Sequence, residues 1–247
     1  MTAAILAGGC SESNPNDFNA ENSAQTALSY LDYNANYTLD NSGEVRPFVP
    51  YSQMEDLWSR KILQANYLIS PYDEVIRTIA EREGRDWRLI SAIACAESQF
   101  DPQSVSNKGA QGLMQIMPVV ARQFRVDETQ ITEPSVNVWL GVELLGYIEN
   151  TFRFPKGMPE QDRLSIILAS YNCGMGHVLD ARRLALKYGE NPNSWEVVAR
   201  YLTLKSEPEY FDDEAVKCGQ FSDSRQTIGF VKKVLRQYDA YCEITTL

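Results

Sequence analysis

One predicted helix constrains the fold more than any other stretch of this sequence. Residues Trp87–Ser98 contain no Gly or Pro and few β-branched residues, which predicts a helix. Three apolar residues recur along it at the spacing of one helical face: Trp87, Ile90 and Ala94. The next position on that face is Glu97. The pattern therefore predicts a carboxylate on the buried side of a helix, at its C-terminal end.

A carboxylate in that place is costly to ionise. Burial favours the protonated acid, and the negative end of the helix dipole favours it as well, so the pKa of Glu97 is expected to be raised. Each pKa unit corresponds to about 1.4 kcal/mol, and a stable fold rarely carries that cost without using it. The alternative is a structural Glu that is satisfied by a buried Arg or by backbone donors.

The residues after this helix predict the wall of a binding cleft. Gln99 to Ser106 is rich in turn-forming residues, and Gly109 to Gly112 predicts a second tight turn. Leu113 to Met117 is a short apolar run with one polar residue, Gln115, and Pro118 ends it. Small hydroxyl residues and a glutamine beside a desolvated acid are typical of a ligand-binding site.

Two motifs connect these residues to a known family. The passage ESQFDPQSVSNKGAQGLMQIMP resembles the lytic murein transglycosylases, which join Glu-Ser, a Ser-x-x-Gly-Ala turn and Gly-Leu-Met-Gln-Ile/Leu-Met-Pro. Residues 169–174, ASYNCG, look like the Ala-x-Tyr-Asn-Ala-Gly motif of that family. The sequence of residues 174–195, GMGHVLDARRLALKYGENPNSW, is similar to the membrane-bound F-type branch of the family. The resemblance covers roughly Ser70 to Tyr241.

This resemblance implies a fold and a reaction. The expected fold is mainly α (α+β), a goose-lysozyme-like domain with a small β/loop insertion after the catalytic helix. The expected reaction cleaves the β-1,4 bond between N-acetylmuramic acid and N-acetylglucosamine in peptidoglycan and forms a 1,6-anhydro sugar. Glu97 would be the single catalytic carboxylate, first as general acid and then as general base. Neither a cofactor nor a metal ion is expected.

The resemblance also assigns substrate-binding residues by position: Ser106, Gln115, Met117, Tyr171, Asn172 and Gln226. Ser106 would bind near the ring that forms the anhydro bond. Gln115 and Asn172 would bond sugar amides or hydroxyls, and Tyr171 would orient the Glu97 carboxyl group. For Met117 and Tyr171, core packing is an equal alternative.

The chain departs from the family at Gln226-Thr227, where relatives usually carry Glu-Thr. The change removes a charge, which puts recognition of the peptide side of the substrate in doubt. It leaves the chemistry at Glu97 unaffected.

Two other functions are compatible with the same residues. A muramidase would use Glu97 with a water molecule, and ordinary glycosidases need a second carboxylate for that purpose. The nearest acid along the chain is Asp101, in an Asp-Pro turn where it already has a structural role. A non-catalytic glycan-binding protein is the other alternative, although intact Glu97, Gln115 and Tyr171-Asn172 argue against it.

Composition excludes several further classes. A formal net charge of -10 and the lack of a basic cluster argue against a nucleic-acid partner. The single histidine, His177, makes a Ser-His-Asp triad or a His-rich metal site improbable, and it is expected to line the start of a helix. The expected partner is the peptidoglycan glycan strand, bound by a monomer.

The first ten residues resemble the end of a bacterial lipoprotein signal. Ala3 to Ala7 is apolar, and Gly8-Gly9 precedes Cys10, which would carry the lipid. The signal lacks a basic region and is short, which a start codon assigned too far downstream would explain. The expected location is therefore the periplasmic side of the envelope, anchored to the outer membrane. The alternative is a tail with a chance cysteine.

The remaining cysteines are Cys95, Cys173, Cys218 and Cys242. Export would permit disulfides among them in any of three pairings, and the sequence does not choose between them. Cys95 and Cys173 each lie near a candidate site residue, so both are equally well explained as small core residues.

The expected organisation is a signal remnant at 1–10, a polar tether and packing segment at 11–69, and the catalytic domain at 70–247. Short helices are expected near Ser23–Tyr33 and Gln53–Tyr67, and strand signals are confined to Gly109–Met117. The catalytic domain is predicted to consist of helices at 72–83, 87–98, 118–125, 134–152, 162–172, 177–188, 195–204 and 225–242.

Overall fold

The computed structural model describes residues 68–245 and, before them, the backbone of two short strands. Strands β1 (Tyr37–Leu39) and β2 (Val45–Pro47) pair antiparallel, with Thr38 opposite Arg46. The expectation that strand signals are confined to Gly109–Met117 is therefore wrong. The sequence of β1, Tyr-Thr-Leu, suits a strand, but it lies within a polar stretch interpreted as a tether. The signal remnant at 1–10 and both short helices expected before residue 68 lie outside the described residues.

The rest of the described chain is mainly helical, which confirms the mainly α prediction. The α-helices are α1 (Asp73–Arg82), α2 (Trp87–Ser98), α3 (Pro118–Gln123), α4 (Pro134–Phe152), α5 (Glu160–Cys173), α6 (Met175–Lys187), α7 (Trp195–Leu204), α8 (Pro208–Phe211) and α9 (Ser224–Thr245), with a 3-10 turn at Glu128–Gln130. Helices α2, α4 and α7 have the predicted bounds, and α8 was not predicted. No helix in residues 68–245 is long and apolar enough to span a bilayer.

The small β insertion predicted after α2 is not confirmed. Between α2 and α3, strand-like pairing consists of two isolated antiparallel bridges, Val105 with Gln111 and Gln111 with Ile116. The loop that carries them, residues 99–117, is held mainly by turns and by side-chain hydrogen bonds to its backbone.

The described helices fall into two compact units. Residues 68–151 together with 234–245 form one unit, which we call the Glu97 unit. Phe152–Lys233 forms the other, which we call the Tyr171 unit.

Helix α2 is an interior helix of the Glu97 unit. Asp86 is its N-cap, as predicted, and accepts a hydrogen bond from the Arg88 backbone N–H at 2.9 Å. The Tyr238 hydroxyl donates to the same carboxylate at 2.9 Å, which attaches the start of α2 to the C-terminal half of α9. From residue 90 to residue 98 every side chain except Cys95 is buried. The small alanines among them allow neighbouring elements to approach closely.

The buried face of α9 differs from the predicted one. Of the four predicted inward residues, Ile228, Val231, Leu235 and Tyr238, only Val231 is buried. The buried stripe instead runs through Ser224, Thr227, Val231, Val234 and Tyr241. The first turn of this stripe is formed by the polar residues Ser224 and Thr227. Apolar periodicity alone therefore predicted Ile228 as the inward residue, one position after the buried Thr227.

A buried asparagine on α4 shapes the loop after α2. Asn137 is fully buried, and its Oδ1 accepts from the Met114 backbone N–H at 2.7 Å. Its Nδ2 donates to the carbonyls of Gln111 (2.8 Å) and Ile131 (2.7 Å). A Cβ on Gly112 would overlap the Asn137 amide, and Gly112 also has a φ of +78°. Gly112 is therefore required both for its backbone conformation and for close contact with α4.

We expect Gly112→Ala to destabilise the protein by about 2–5 kcal/mol, because a left-handed backbone and steric overlap add together. Gly109→Ala is the matched control. Gly109 has a φ of +85° in the same loop but has no atom within 4 Å of the added Cβ. The control should cost only about 1–2 kcal/mol. Urea unfolding of both variants measures the difference, and equal losses would contradict the role given to the Asn137 contact.

Candidate active site

The Glu97 carboxylate lies at the C-terminal end of α2 and is only 2% exposed. The apolar residues that precede it on the helix, Ile90, Ile93 and Ala94, are fully buried. The structure therefore places Glu97 where the sequence predicted it, on the buried stripe of this helix. A carboxyl group in such a place can hold or accept a proton away from bulk water.

The backbone reverses sharply after Glu97. Gln99 and Phe100 both adopt left-handed conformations, with φ of 56° and 63°. Non-glycine residues rarely do so, and each such residue costs of order 1–3 kcal/mol. Asp101 follows, exposed, and its Oδ1 accepts from the Gln103 backbone N–H at 2.9 Å. Asp101 thus has the structural turn role predicted for it.

Two buried side chains hold the loop against α2. Ser98 Oγ lies 2.7 Å from the Leu113 carbonyl and 3.2 Å from the Ala94 carbonyl, so Ser98 fixes the loop. Gln115 Nε2 donates to the carbonyls of Ser104 and Gly112, both at 3.0 Å. Gln115 is 1% exposed and its amide protons serve the loop, which leaves its Oε1 as the atom able to accept from a ligand.

Ser106 and Met117 lie on either side of the loop's second turn, Ser106 before it and Met117 after it. Ser106 Oγ accepts from the Ala110 backbone N–H at 2.9 Å, and its own hydroxyl proton remains available as a donor. Met117 is the N-cap residue of α3. Both side chains are half-buried. Glu97, Ser106, Gln115 and Met117 therefore belong to one unit, within 21 residues of sequence.

The other predicted substrate residues belong to the Tyr171 unit. Tyr171 is fully buried and Asn172 is 3% exposed, and both lie in the last turn of α5. Gln226 is exposed in the first turn of α9. Its neighbour Thr227 is buried and donates to Asn172 Oδ1 at 3.0 Å. Cys10, predicted to carry a lipid, lies outside the described residues.

A buried ionic cluster that the sequence did not predict lies in the Tyr171 unit. Lys205 is fully buried, and its Nζ lies 2.6 Å from Asp180 Oδ2 and 3.1 Å from His177 Nδ1. The other Asp180 oxygen accepts from Arg183 at 2.7 Å. Asp180 also accepts from the backbone N–H groups of Lys217 and Cys218, each at 2.9 Å.

Burial, with the Lys205 charge beside it, lowers the pKa of His177 to about 4. The ring is therefore neutral at pH 7, and Nδ1 accepts from Lys205. An unfolded chain would take up a proton near pH 6.5. The folded state thus loses stability as pH falls from about 6.5 towards 4. His177 lies inside α6 as a structural residue, which agrees with the prediction that it lines the start of this helix.

The described residues contain no cluster of His, Cys, Asp or Glu able to hold a metal ion. None of the four cysteines in this part of the chain forms a disulfide bond.

Comparison with known proteins identifies the family. The transglycosylase SLT domain family matches residues 74–193. This part of the chain is a transglycosylase SLT domain. The match contains Glu97 and every predicted substrate residue except Gln226, and it confirms the recognition made from the two motifs.

Several curated relatives carry the name membrane-bound lytic murein transglycosylase F. The protein from Alcanivorax borkumensis is 36% identical over 169 residues, which are 68% of this chain and 34% of the relative. That from Marinobacter nauticus is 32% identical over 174 residues, 70% of this chain and 33% of the relative. This chain thus spans about a third of their length. A solved structure of lytic transglycosylase Slt from Pseudomonas aeruginosa is 25% identical, with a TM-score of 0.48, and covers 69% of this chain and 24% of that one.

Sequence reasoning missed two buried polar side chains, Asn137 and Lys205. Asn137 lies within the apolar helical stretch VNVWLG, and Lys205 is the C-cap residue directly after α7. For Asn137, a lone polar residue in an apolar helical run was the available signal, since such a group must find partners inside the protein.

We expect Asp180→Asn to destabilise the protein by about 3–5 kcal/mol, because it leaves the fully buried Lys205 ammonium without its counter-charge. Glu160→Gln is the control, since it breaks the exposed i,i+3 pair with Arg163 and should cost no more than about 1 kcal/mol. Urea unfolding at pH 7 measures both. A loss at Asp180 as small as that at Glu160 would show that Lys205 does not depend on this charge.

Proposed function

We propose that this protein is a peptidoglycan lytic transglycosylase in which Glu97 is the only catalytic carboxylate. The observation that carries the proposal is the burial of Glu97 at the end of α2, inside the region matched by the SLT domain family. The names of the curated relatives support the same reaction and substrate.

The proposed reaction needs one acid because the substrate supplies its own nucleophile. Glu97 donates its proton to the glycosidic oxygen as the bond from C1 of N-acetylmuramic acid breaks. The resulting carboxylate then accepts the proton of the C6 hydroxyl of the same ring while O6 bonds to C1. The acid is regenerated, no water is consumed, and the product is a 1,6-anhydro sugar. Glu97 thus acts in turn as general acid and general base.

A buried site favours this outcome over hydrolysis. The C6 hydroxyl belongs to the ring that it attacks, so its effective concentration is far above that of any external nucleophile. Exclusion of water from a carboxyl group that is only 2% exposed acts in the same direction.

The substrate contacts follow from the resemblance and from the atoms that remain available. Ser106 would donate its hydroxyl proton near the anhydro-forming ring, and Gln115 would accept through Oε1. Met117 would add apolar contact, and Tyr171 and Asn172 would bind the glycan from the YN motif. Gln226, exposed where relatives carry Glu, would contact the peptide side without a charge.

The structure offers little support for a muramidase. Asp101 is exposed in a turn and already bonds to the backbone. Glu143, on α4, is the other notable carboxylate of the Glu97 unit, and burial together with Glu83 raises its pKa to about 7. Its charged neighbours are Glu83, Arg85 and Arg82, so it belongs to an ionic group at α1 and the turn after it.

We expect Glu97→Gln to lower the release of fragments from purified sacculi by at least about 10²–10⁴-fold, because the amide cannot deliver a proton. Asp101→Asn and Glu143→Gln are matched controls that each remove a different carboxylate of the same unit, and both should retain activity within about threefold. Circular dichroism and unfolding curves should show that all three variants fold. Activity of Glu97→Gln within about tenfold of the parent would refute the single-acid mechanism.

The released sugars distinguish the two reactions. Products should resist borohydride and be about 20 Da lighter than reduced hydrolysis products, because they lack one water and two reducing hydrogens. Reducible ends, lost in Asp101→Asn, would instead establish a muramidase. Binding to sacculi without any release would establish a glycan-binding protein.

We further propose a monomer held at the periplasmic side of the envelope by a lipid on Cys10. The sequence Gly8-Gly9-Cys10 and the membrane-bound names of the relatives support it. The protein expressed from its own gene should partition into the detergent phase, and Cys10→Ala should release it into the aqueous phase. Identical partitioning of the two proteins would refute the anchor.

A further inference from the structure

The hydroxyl of Thr227 determines which way the amide of Asn172 points. Thr227 Oγ1 donates to Asn172 Oδ1 at 3.0 Å, and both side chains are almost completely buried, at 1% and 3% exposed. Across residues 68–245, Thr227 is the only hydrogen-bond partner of the Asn172 side chain. The amide oxygen is therefore occupied, and the two Nδ2 protons are the groups left for a ligand.

The neighbouring cysteine keeps the direction of this hydrogen bond. Cys173 also contacts Thr227, and burial raises the pKa of its thiol to about 12. The sulfur is thus a neutral thiol at pH 7, and a thiol is a much weaker acceptor than an amide oxygen. A thiolate would compete to accept from the Thr227 hydroxyl, whereas the neutral thiol leaves that hydroxyl donating to Asn172 Oδ1.

The position of Thr227 is itself fixed by the buried ionic cluster. The Asp180 carboxylate accepts hydrogen bonds from the backbone N–H groups of Lys217 and Cys218. The Lys205 carbonyl accepts one from the Phe221 N–H, at 3.0 Å. These bonds fix the segment immediately before α9. Thr227 lies in the first turn of α9, with its N–H bonded to the Asp223 carbonyl at 3.1 Å.

We propose that Thr227 is a positioning residue that presents Asn172 Nδ2 to an acceptor on the glycan, the carbonyl oxygen of an N-acetyl group. The proposal rests on the function proposed above and names the chemistry that Asn172 selects. Both saccharides of peptidoglycan carry an acetamide, and its carbonyl is their strongest neutral acceptor. A hydroxyl could also accept, but the amide carbonyl is the stronger acceptor for the two Nδ2 protons.

The test uses tetrasaccharides of alternating N-acetylglucosamine and N-acetylmuramic acid in the Glu97→Gln background, so that binding is measured without turnover. Thr227→Val keeps the shape and removes the hydroxyl, and we expect its Kd by calorimetry to rise about 5–20-fold, the effect of one hydrogen bond. Thr227→Ser should restore binding to within about twofold.

Thr151→Val is the matched control. Thr151 is also a buried threonine, 2% exposed, but its hydroxyl bonds to Tyr147 within its own helix, donating to the Tyr147 carbonyl at 2.8 Å. This variant should bind like the parent. A Kd change shared by both valine variants would indicate a general loss of packing and would overturn the proposal.

Replacing each acetamide in turn by a hydroxyl identifies the acceptor. One such ligand should lose affinity for the Thr227 protein and show no further loss with Thr227→Val, because the hydrogen bond is already absent. Asn172→Asp gives a second route if Thr227→Val folds poorly, since the carboxylate still accepts from Thr227 but cannot donate. It should lose the same acetamide-dependent affinity.

Kinetics separate this inference from the proposed function. With Glu97 intact, Thr227→Val should raise KM and leave kcat within about twofold, which is the signature of a binding contact. If the parent forms anhydro products but Thr227→Val binds every ligand as well as the parent does, the positioning role is wrong and the proposed function stands. If the parent binds glycans without turnover, the proposed function fails, and the binding series still decides the role of Thr227.

Discussion

The burial of the Glu97 carboxylate is the constraint on which the rest of the Glu97 unit depends. A carboxyl group that acts as both general acid and general base needs an environment that is rigid and excludes water. Helix α2 provides them because nearly all of its last nine residues are buried. A surface helix with one apolar stripe would leave the same carboxylate at a water boundary. The alanines of α2 are therefore as important as its larger apolar residues, because they let neighbours enclose the helix on all sides.

The loop after α2 has to be rigid without being a sheet. Residues 99–117 form only isolated bridges, so few of their backbone groups are paired by regular structure. Three buried side chains take over that task, and each bonds to main-chain atoms: Ser98, Gln115 and Asn137. Buried backbone groups need partners whatever the secondary structure. A side chain that the sequence suggests as a binding residue, such as Gln115, thus uses some of its hydrogen-bonding atoms to hold the loop. Only the atoms without such a bond can contact a substrate.

The sequence predicted some parts of this structure well, for local reasons. Helices α2, α4 and α7 were predicted to the residue because an N-cap aspartate, an N-terminal proline or a glycine-free apolar run marks their ends. The position of Glu97 followed from the same periodicity. The buried face of α9 was misplaced because Thr227 occupies a core position that hydrophobic patterning assigns to solvent. The roles of Asn137 and Lys205 could not be predicted, since their partners lie far away in sequence.

The Lys205–Asp180 pair shows why such a charge can be buried at all. Two apolar residues of similar volume would fill the space and often match a buried ion pair in stability. They could not accept from the backbone N–H groups of Lys217 and Cys218, which lie outside regular secondary structure. An acceptor is required there, and a carboxylate can accept from both at once. A buried carboxylate in turn requires a cation, which explains Lys205. Burial and the adjacent Lys205 charge lower the pKa of His177, and the neutral ring stacks on Phe221. One requirement of the backbone thus accounts for Asp180 and for the cations that bond to it, Lys205 and Arg183.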